Sequence, residues 1–115
     1  GHSHIDELVR VGDIGYLHLN SASYVWVGKS FKNECYPADV LASHPRLAYT
    51  CPYRDALFTT LTLDPKNGRI DLQGCESKWV GKSPAELGRD KHPDLIDGEQ
   101  IIPRIRPRQI KRIAK

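Results

Sequence analysis

Proline and glycine interrupt this chain so often that few segments are long enough to form a helix of ordinary length. The 115 residues include 8 Pro and 9 Gly, which divide the apolar residues into short runs. Proline cannot continue a helix interior, whereas strands of about four to eight residues fit between such interruptions. The sequence therefore predicts a mainly β fold: a small antiparallel β-barrel or curved sheet of about five or six strands with short helical turns, or alternatively a mixed α+β domain.

Two pairs of apolar runs have the form of β-hairpins. Residues 14–19 and 24–28 are rich in β-branched and aromatic residues and are separated by a short polar stretch. Residues 56–63 and 69–72 flank the sequence Asp-Pro-Lys-Asn-Gly, in which proline sets φ and Asn-Gly tolerates a left-handed backbone. We expect each pair to form two antiparallel strands.

The strand predicted at 24–28 has two chemically different faces. Tyr24 and Trp26 point to one side and Val25 and Val27 to the other, because successive side chains of a strand alternate. One face packs in the core and the other lines the surface. The sequence leaves open which is which.

Helix signals are brief. Pro37 fits the first position of a helix of about two turns that ends before Pro45. A second helix of little more than one turn is predicted to start at Ser83, with Glu86 bonding back to it.

Three parts of the chain differ in composition. Residues 1–4 have the character of an expression scar, so their two histidines are not taken as metal ligands. Residues 5–100 are predicted to form a single globular domain, and residues 101–115 a basic C-terminal tail. No apolar run approaches the length of about 18 residues that a membrane span needs, so we expect no membrane partner.

Positive charge is concentrated in the predicted tail. Residues 101–115 carry no acid and six cations: Arg104, Arg106, Arg108, Lys111, Arg112 and Lys115. The chain has 17 Lys and Arg in all, so 11 remain in residues 1–100 against all 14 Asp and Glu, a net charge of −3. An acidic body with a basic end indicates binding to a polyanion or to an acidic partner.

The basic tail indicates a surface complementary to phosphate. Guanidinium groups make bidentate contacts with phosphate, and exposed aromatic rings stack on the bases of single strands. We expect a small nonenzymatic nucleic-acid-binding or accessory module that uses the following side chains: Arg104, Arg106, Arg108, Lys111, Arg112, Lys29, Lys82, Tyr24, Trp26 and Trp79. The alternative is a protein-interaction module in which the aromatic residues anchor an acidic protein partner.

The pentapeptide Trp-Val-Gly-Lys-Ser occurs twice, at 26–30 and 79–83. The similarity ends with the five residues. It indicates either two strand ends that need a glycine bend after a tryptophan, or two equivalent corners that present Trp and Lys to one ligand. A phosphate-binding loop is excluded, because that motif needs a glycine where this chain has Ser23 and Glu76.

The three cysteines are Cys35, Cys51 and Cys75. An odd number without close spacing predicts reduced, mostly buried thiols, as in a cytoplasmic protein. No two cysteines have the spacing of a zinc knuckle, so no metal or other cofactor is expected.

A hydrolase is the third possibility for function. Residues 12–13, 24–28 and 33–35 together resemble segments of small papain-like cysteine hydrolases. That resemblance implies a nucleophilic cysteine activated by a histidine. Cys35 or Cys51 would be the nucleophile, and His18 or His44 would be the base.

Overall fold

The strands in this computed structural model, which describes residues 3–89, 91 and 101–112, confirm the mainly β prediction. They are β1 (Glu7–Val11), β2 (Ile14–His18), β3 (Tyr24–Trp26), β4 (Thr50–Pro52), β5 (Leu61–Asp64), β6 (Arg69–Leu72), β7 (Cys75–Glu76), β8 (Arg104–Ile105) and β9 (Arg108–Lys111). Their antiparallel sheets have the orders β1-β2, β3-β4, β5-β6-β9 and β7-β8. Within the described residues no barrel closes, so the curved-sheet form of the prediction is the one confirmed.

The first hairpin differs from the predicted one. β2 pairs with β1, with Leu8 opposite Leu17, whereas β3 pairs with β4, with Val25 opposite Cys51. The predicted pairing of residues 14–19 with 24–28 is therefore wrong. The reason is local: Gly12, at φ +59°, closes a two-residue turn that folds β2 back onto the preceding strand.

The second predicted hairpin is confirmed. β5 pairs with β6 from Leu61 opposite Leu72 to Asp64 opposite Arg69. In the turn, the backbone N–H of Asn67 donates to Asp64 Oδ1 (3.2 Å) and its side-chain amide donates to Oδ2 (2.8 Å). Gly68 has φ +57°, the left-handed conformation that its sequence position predicts.

Two clusters of buried side chains form the core. The first contains Val25, Val27, Cys51 and Ile101, and the second contains Tyr53, Leu57, Leu72 and Ile105. Trp79 packs against both clusters and so joins them.

Residues 101–112 belong to the sheets rather than projecting from them. β8 pairs with β7, placing Ile105 opposite Cys75, and β9 pairs with β6, placing Ile110 opposite Ile70. Ile105 is 2% exposed and lies in the second core cluster. The predicted tail thus supplies two strands and two core side chains, Ile101 and Ile105, and its last three residues lie outside the described part of the chain.

Helical structure is short, as predicted. Helix α1 (Ala38–Ser43) follows Pro37, and 3₁₀ turns occupy Lys29–Phe31 and Pro45–Tyr49. Ser83 and Glu86 make the expected reciprocal bonds between backbone N–H and side-chain oxygen, 3.4 and 3.2 Å, but they cap a turn and not a helix. Among the described residues no helix has the length and apolar character needed to cross a bilayer.

Candidate functional site

Two of the predicted phosphate-binding cations contact a buried carboxylate. Asp6 is 8% exposed. The Arg106 Nε–H donates to Asp6 Oδ2 at 3.0 Å, and the Arg108 Nη1–H donates to Oδ1 at 2.6 Å. The backbone N–H of Arg106 also donates to Oδ2, at 2.9 Å. Arg106 and Arg108 therefore hold the end of the chain against the residue that precedes β1, and Asp6 neutralises one of their two positive charges.

The remaining tail cations are separated from this pair. Arg104 is half-buried in β8, where its backbone carbonyl accepts a hydrogen bond from the side-chain amide of Asn20 at 3.2 Å. Lys111 and Arg112 are exposed at the end of β9. Lys115 lies outside the described residues. The described cations of the tail thus do not form one continuous strip.

The aliphatic face of β3 is the one that packs in the core. Val25 and Val27 are 0% and 2% exposed, whereas Tyr24 and Trp26 lie on the outer face. The Trp26 ring is exposed and meets the Tyr49 ring edge-on, with centroids 5.7 Å apart. The sequence leaves open which face of this strand is buried, and in the structure the aromatic side chains are on the outer face.

Trp79 does not share a surface with Trp26. Trp26 is opposite Thr50 and Trp79 is opposite Tyr53 in the antiparallel pairing. Directly opposed residues share a face of a sheet, and Thr50 and Tyr53, three positions apart, lie on opposite faces. The structure therefore directs the two tryptophans to opposite sides, and Trp79 stacks at a tilt on Tyr53 with centroids 5.4 Å apart.

The two Trp-Val-Gly-Lys-Ser copies flank the same central segment. On one edge of β4 the Val27 N–H donates to the Tyr49 carbonyl (2.7 Å), and on the other the Val80 N–H donates to the Pro52 carbonyl (2.9 Å). Each copy then bends at a glycine of positive φ, +84° at one and +76° at the other. Lys29 and Lys82 follow these bends and are exposed. The arrangement accounts for the repeat by strand pairing and bending, without a shared ligand.

The thiols are poorly suited to nucleophilic chemistry. Burial raises the pKa of Cys51 to about 11 and also raises the pKa of Cys35. In the described part of the chain, no hydrogen bond joins either sulfur to a histidine, and no group of three His, Cys, Asp or Glu could hold a metal ion. A buried thiol of high pKa is mostly protonated at neutral pH and reacts slowly. The three cysteines are free, as the sequence predicts, but the prediction that most of them are buried is wrong: only Cys51 is buried, and Cys35 and Cys75 are half-buried.

A groove of about 580 Å³ separates the β1-β2 hairpin from the β5-β6-β9 sheet. The register explains its apolar floor, because Leu8 lies opposite Leu17 on one wall while Leu63, Ile70 and Ile110 share a face of the other. The apolar side chains that line the groove are Leu8, Leu17, Leu61, Leu63, Ile70 and Ile110. Because the β1-β2 hairpin does not pack closely against the β5-β6-β9 sheet, the apolar side chains between them remain accessible.

One end of the groove is basic. Arg10 and Arg112 line it beside the β5-β6 turn, and we call these two residues the basic end. Lys111 also lines the groove, but alternation along β9 directs its side chain to the face opposite that of Ile110. The Arg10 Nη2–H donates to the Lys111 carbonyl (3.2 Å), and the Arg112 N–H donates to the Gly68 carbonyl (2.8 Å), so both arginines are held close to that turn.

Acidic side chains balance only part of this charge. Asp64 is paired with Arg69 at 3.6 Å. Hydrogen bonds from Asn67 hold the pKa of Asp64 below its usual value, so this carboxylate is ionised. Asp13 is the remaining acid among the residues that line the groove. Two cations, Arg10 and Arg112, against one unpaired acid leave the basic end with a net positive charge.

The sequence predicts Lys111 and Arg112 as binding residues but not the apolar groove beside them. The signal was present in β5, where Leu61 and Leu63 alternate with polar residues, as on a strand with one buried face. They are nevertheless 45% and 62% exposed. Nothing in the local pattern shows that the opposing hairpin stands apart from this face.

Comparison with models of protein families, with curated proteins and with solved structures finds no match to this chain. The candidate site therefore has to be interpreted from its own geometry and chemistry.

Proposed function

We propose that this protein is a protein-interaction module whose groove holds an extended, apolar and acidic segment of a partner protein. The observation that carries the proposal is the groove itself, an apolar cleft with a net positive charge at one end. Its volume of about 580 Å³ is within the usual range of ligand pockets.

The apolar floor favours a protein partner. Leu61 and Leu63 keep much of their surface in water, and covering such surface contributes about 25 cal/mol for each Å² that is buried. An exposed apolar surface bordered by charged residues is typical of a protein interface. Nucleic-acid surfaces, by contrast, are dominated by phosphates, which aliphatic side chains do not complement.

The charge at the basic end favours an acidic residue in the partner. Arg10 and Arg112 converge beside the β5-β6 turn, with Asp13 as the one acid lining the groove that is not already paired. A carboxylate placed there would meet charge-assisted hydrogen bonds from guanidinium groups. This agrees with the acidic protein partner that the sequence predicts as an alternative, although the contacts lie at the groove and not at the tryptophans.

The nucleic-acid hypothesis remains a prediction with weaker support. The exposed Trp26 ring, and Lys111 and Arg112 at the end of β9, are the features in its favour. Against it, Arg106 and Arg108 are bonded to Asp6.

A peptide titration tests the proposal. The probe is a fluorescein-labelled peptide, Thr-Glu-Thr-Val-Thr-Val-Thr, whose second, fourth and sixth side chains share one face of a strand. The control peptide carries Lys in place of Glu. We expect the acidic peptide to bind about tenfold more tightly than the basic one, and the preference to shrink as salt increases. Equal affinities, or no binding of either peptide, would contradict the proposal.

Filling the groove supplies a matched protein control. Gly15 lines the groove, and a Cβ added there meets Leu8 Cδ1 at an ordinary 3.7 Å. Gly15→Phe should therefore fold and should block the peptide. Ile14→Phe adds an aromatic ring to the neighbouring residue, on the other face of the same hairpin, and should bind the peptide normally.

A further inference from the structure

β5 is an edge strand, and its hydrogen-bonding pattern can be read from the register. It pairs with β6 on one side only in the described part of the chain. The Gln73 N–H donates to the Thr60 carbonyl at 3.2 Å, so these two residues form a hydrogen-bonded pair. Such pairs alternate along an antiparallel ladder, so Thr62 and Asp64 also bond to β6.

The other side of β6 gives an independent check of this alternation. The Arg112 N–H donates to the Gly68 carbonyl at 2.8 Å, so the bonded pairs with β9 include Ile70 and Leu72. The intervening residues of β6, Arg69 and Asp71, are left to bond to β5. Arg69 and Asp71 therefore bond to β5, and Ile70 and Leu72 bond to β9.

The backbone groups of Leu61 and Leu63 consequently point away from the sheet. Their N–H and C=O groups make no hydrogen bond to any other residue that the structure describes. Unpaired groups along an exposed apolar strand can pair with another extended chain. The Leu61 and Leu63 side chains line the groove, so a strand added at this edge would place alternate side chains on the same apolar face.

We propose that the partner segment binds by adding a strand to the free edge of β5, antiparallel to it. The proposal rests on the function proposed above and specifies how the groove is used. The backbone of the segment bonds to Leu61 and Leu63, while alternate side chains cover the apolar floor. Antiparallel pairing continues the pattern of the β5-β6-β9 sheet. Because β5 runs towards its turn and the basic end, the N-terminal part of the segment carries the acidic residue.

Two substitutions at Leu63 separate the backbone contribution from the side-chain contribution. Leu63→Ala removes the apolar side chain but keeps the N–H. Leu63→Pro also removes the outward N–H, and it leaves the bonds of Thr62 and Asp64 to β6 in place. Proline is tolerated on edge strands at such positions, so the fold should survive, which a melting curve checks. We expect Leu63→Pro to bind the acidic peptide about tenfold more weakly than Leu63→Ala.

Amide hydrogen exchange followed by NMR completes the test. In the free protein the Leu61 and Leu63 amides should exchange quickly and those of Thr62 and Asp64 slowly. Saturating acidic peptide should protect Leu61 and Leu63, and the reversed peptide, Thr-Val-Thr-Val-Thr-Glu-Thr, should bind more weakly.

These experiments distinguish a failure of strand addition from a failure of the proposed function. Peptide binding without protection of Leu61 and Leu63, and with equal affinity for the Pro and Ala variants, overturns strand addition but leaves the proposed function standing. No peptide binding to the unmodified protein overturns both. Protection that appears without peptide and increases with protein concentration shows that a second copy of this chain occupies the edge, which also overturns the proposal.

Discussion

Asp6 shows how one residue determines what the basic end of the chain can do. Its carboxylate is almost fully removed from water and accepts bonds from Arg106 and Arg108. Removing one partner from such a cluster leaves buried charges without compensation, which costs much more than the pair itself contributes. The contacts join residues about a hundred positions apart, so they also fasten β9 to the beginning of the chain.

Asp6→Asn should lower the free energy of unfolding by about 2–4 kcal/mol, because two partly buried guanidinium groups lose their counter-charge. Urea denaturation measures the change. Asp71→Asn is the matched control: Asp71 also accepts from an arginine, at 2.9 Å, but its side chain is much more exposed. It should cost less than about 1 kcal/mol. Equal losses would show that the Asp6 cluster is not the buried contact described here.

The raised pKa of Cys51 predicts that the protein loses stability at alkaline pH. Burial raises its pKa from 9.0 to about 11 in the folded protein. Stability from this group is therefore complete below pH 9 and is lost as the pH rises through 11, by roughly 2 kcal/mol. Tyr53, whose pKa burial also raises, adds to the loss at higher pH. Melting temperatures between pH 8 and about 11 should fall less steeply for Cys51→Ala than for the unmodified protein. Parallel curves would contradict this.

At the scale of elements, the β4 segment organises the core because a copy of the same pentapeptide pairs with each of its edges. The two copies differ in what surrounds their glycines. A Cβ at Gly81 would lie 2.8 Å from the Cβ of Cys35, whereas one at Gly28 would lie 3.9 Å from the Trp26 indole nitrogen. Both glycines have positive φ, and Gly28, at φ 84° and ψ 178°, has a conformation that is almost restricted to glycine.

Gly81→Ala should consequently be more destabilising than Gly28→Ala. Both substitutions place a Cβ on backbone of positive φ, at about 1–3 kcal/mol each, and only the first adds a clash with Cys35. We expect a difference of about 1–2 kcal/mol in the free energy of unfolding. If Gly28→Ala is as costly, the repeat is constrained by backbone conformation alone.

Local chemistry explains which elements the sequence could predict. The β5-β6 turn was predictable because Asp64, Asn67 and Gly68 act within five residues. The pairing of β2 was not, because two apolar runs compete for it and Gly12 decides between them. The sequence could not show which face of β3 is exposed, because that depends on its pairing with β4, which places Cys51 opposite Val25.

The same distinction applies to the candidate site. Composition identified the cations of residues 101–112, and the charge of Arg112 remains available at the groove. It could not show that Arg106 and Arg108 meet Asp6, because that contact spans almost the whole sequence. The groove likewise depends on the distance between two hairpins, which no local pattern encodes.

At the scale of the whole molecule, distinct surfaces offer distinct chemistry. The described chain is elongated, with principal extents of 56, 24 and 20 Å. The apolar groove with its basic end is formed by the β1-β2 hairpin and the β5-β6-β9 sheet, whereas the exposed Trp26 ring belongs to the outer face of β3. A ligand that uses one of these surfaces therefore need not touch the other, and the two proposed classes of partner can be told apart by where they bind.

The most direct test is one residue-resolved NMR titration of the full chain with two ligands at about 50 mM salt, where electrostatic binding is strong. One ligand is the acidic peptide and the other is a single-stranded oligonucleotide. The account predicts that the peptide shifts the amides of Gly15, Leu63 and Ile110 and leaves the Trp26 indole unchanged, and that the oligonucleotide binds at least about tenfold more weakly. Tight oligonucleotide binding at Trp26, with no effect of the peptide on the groove amides, would contradict it.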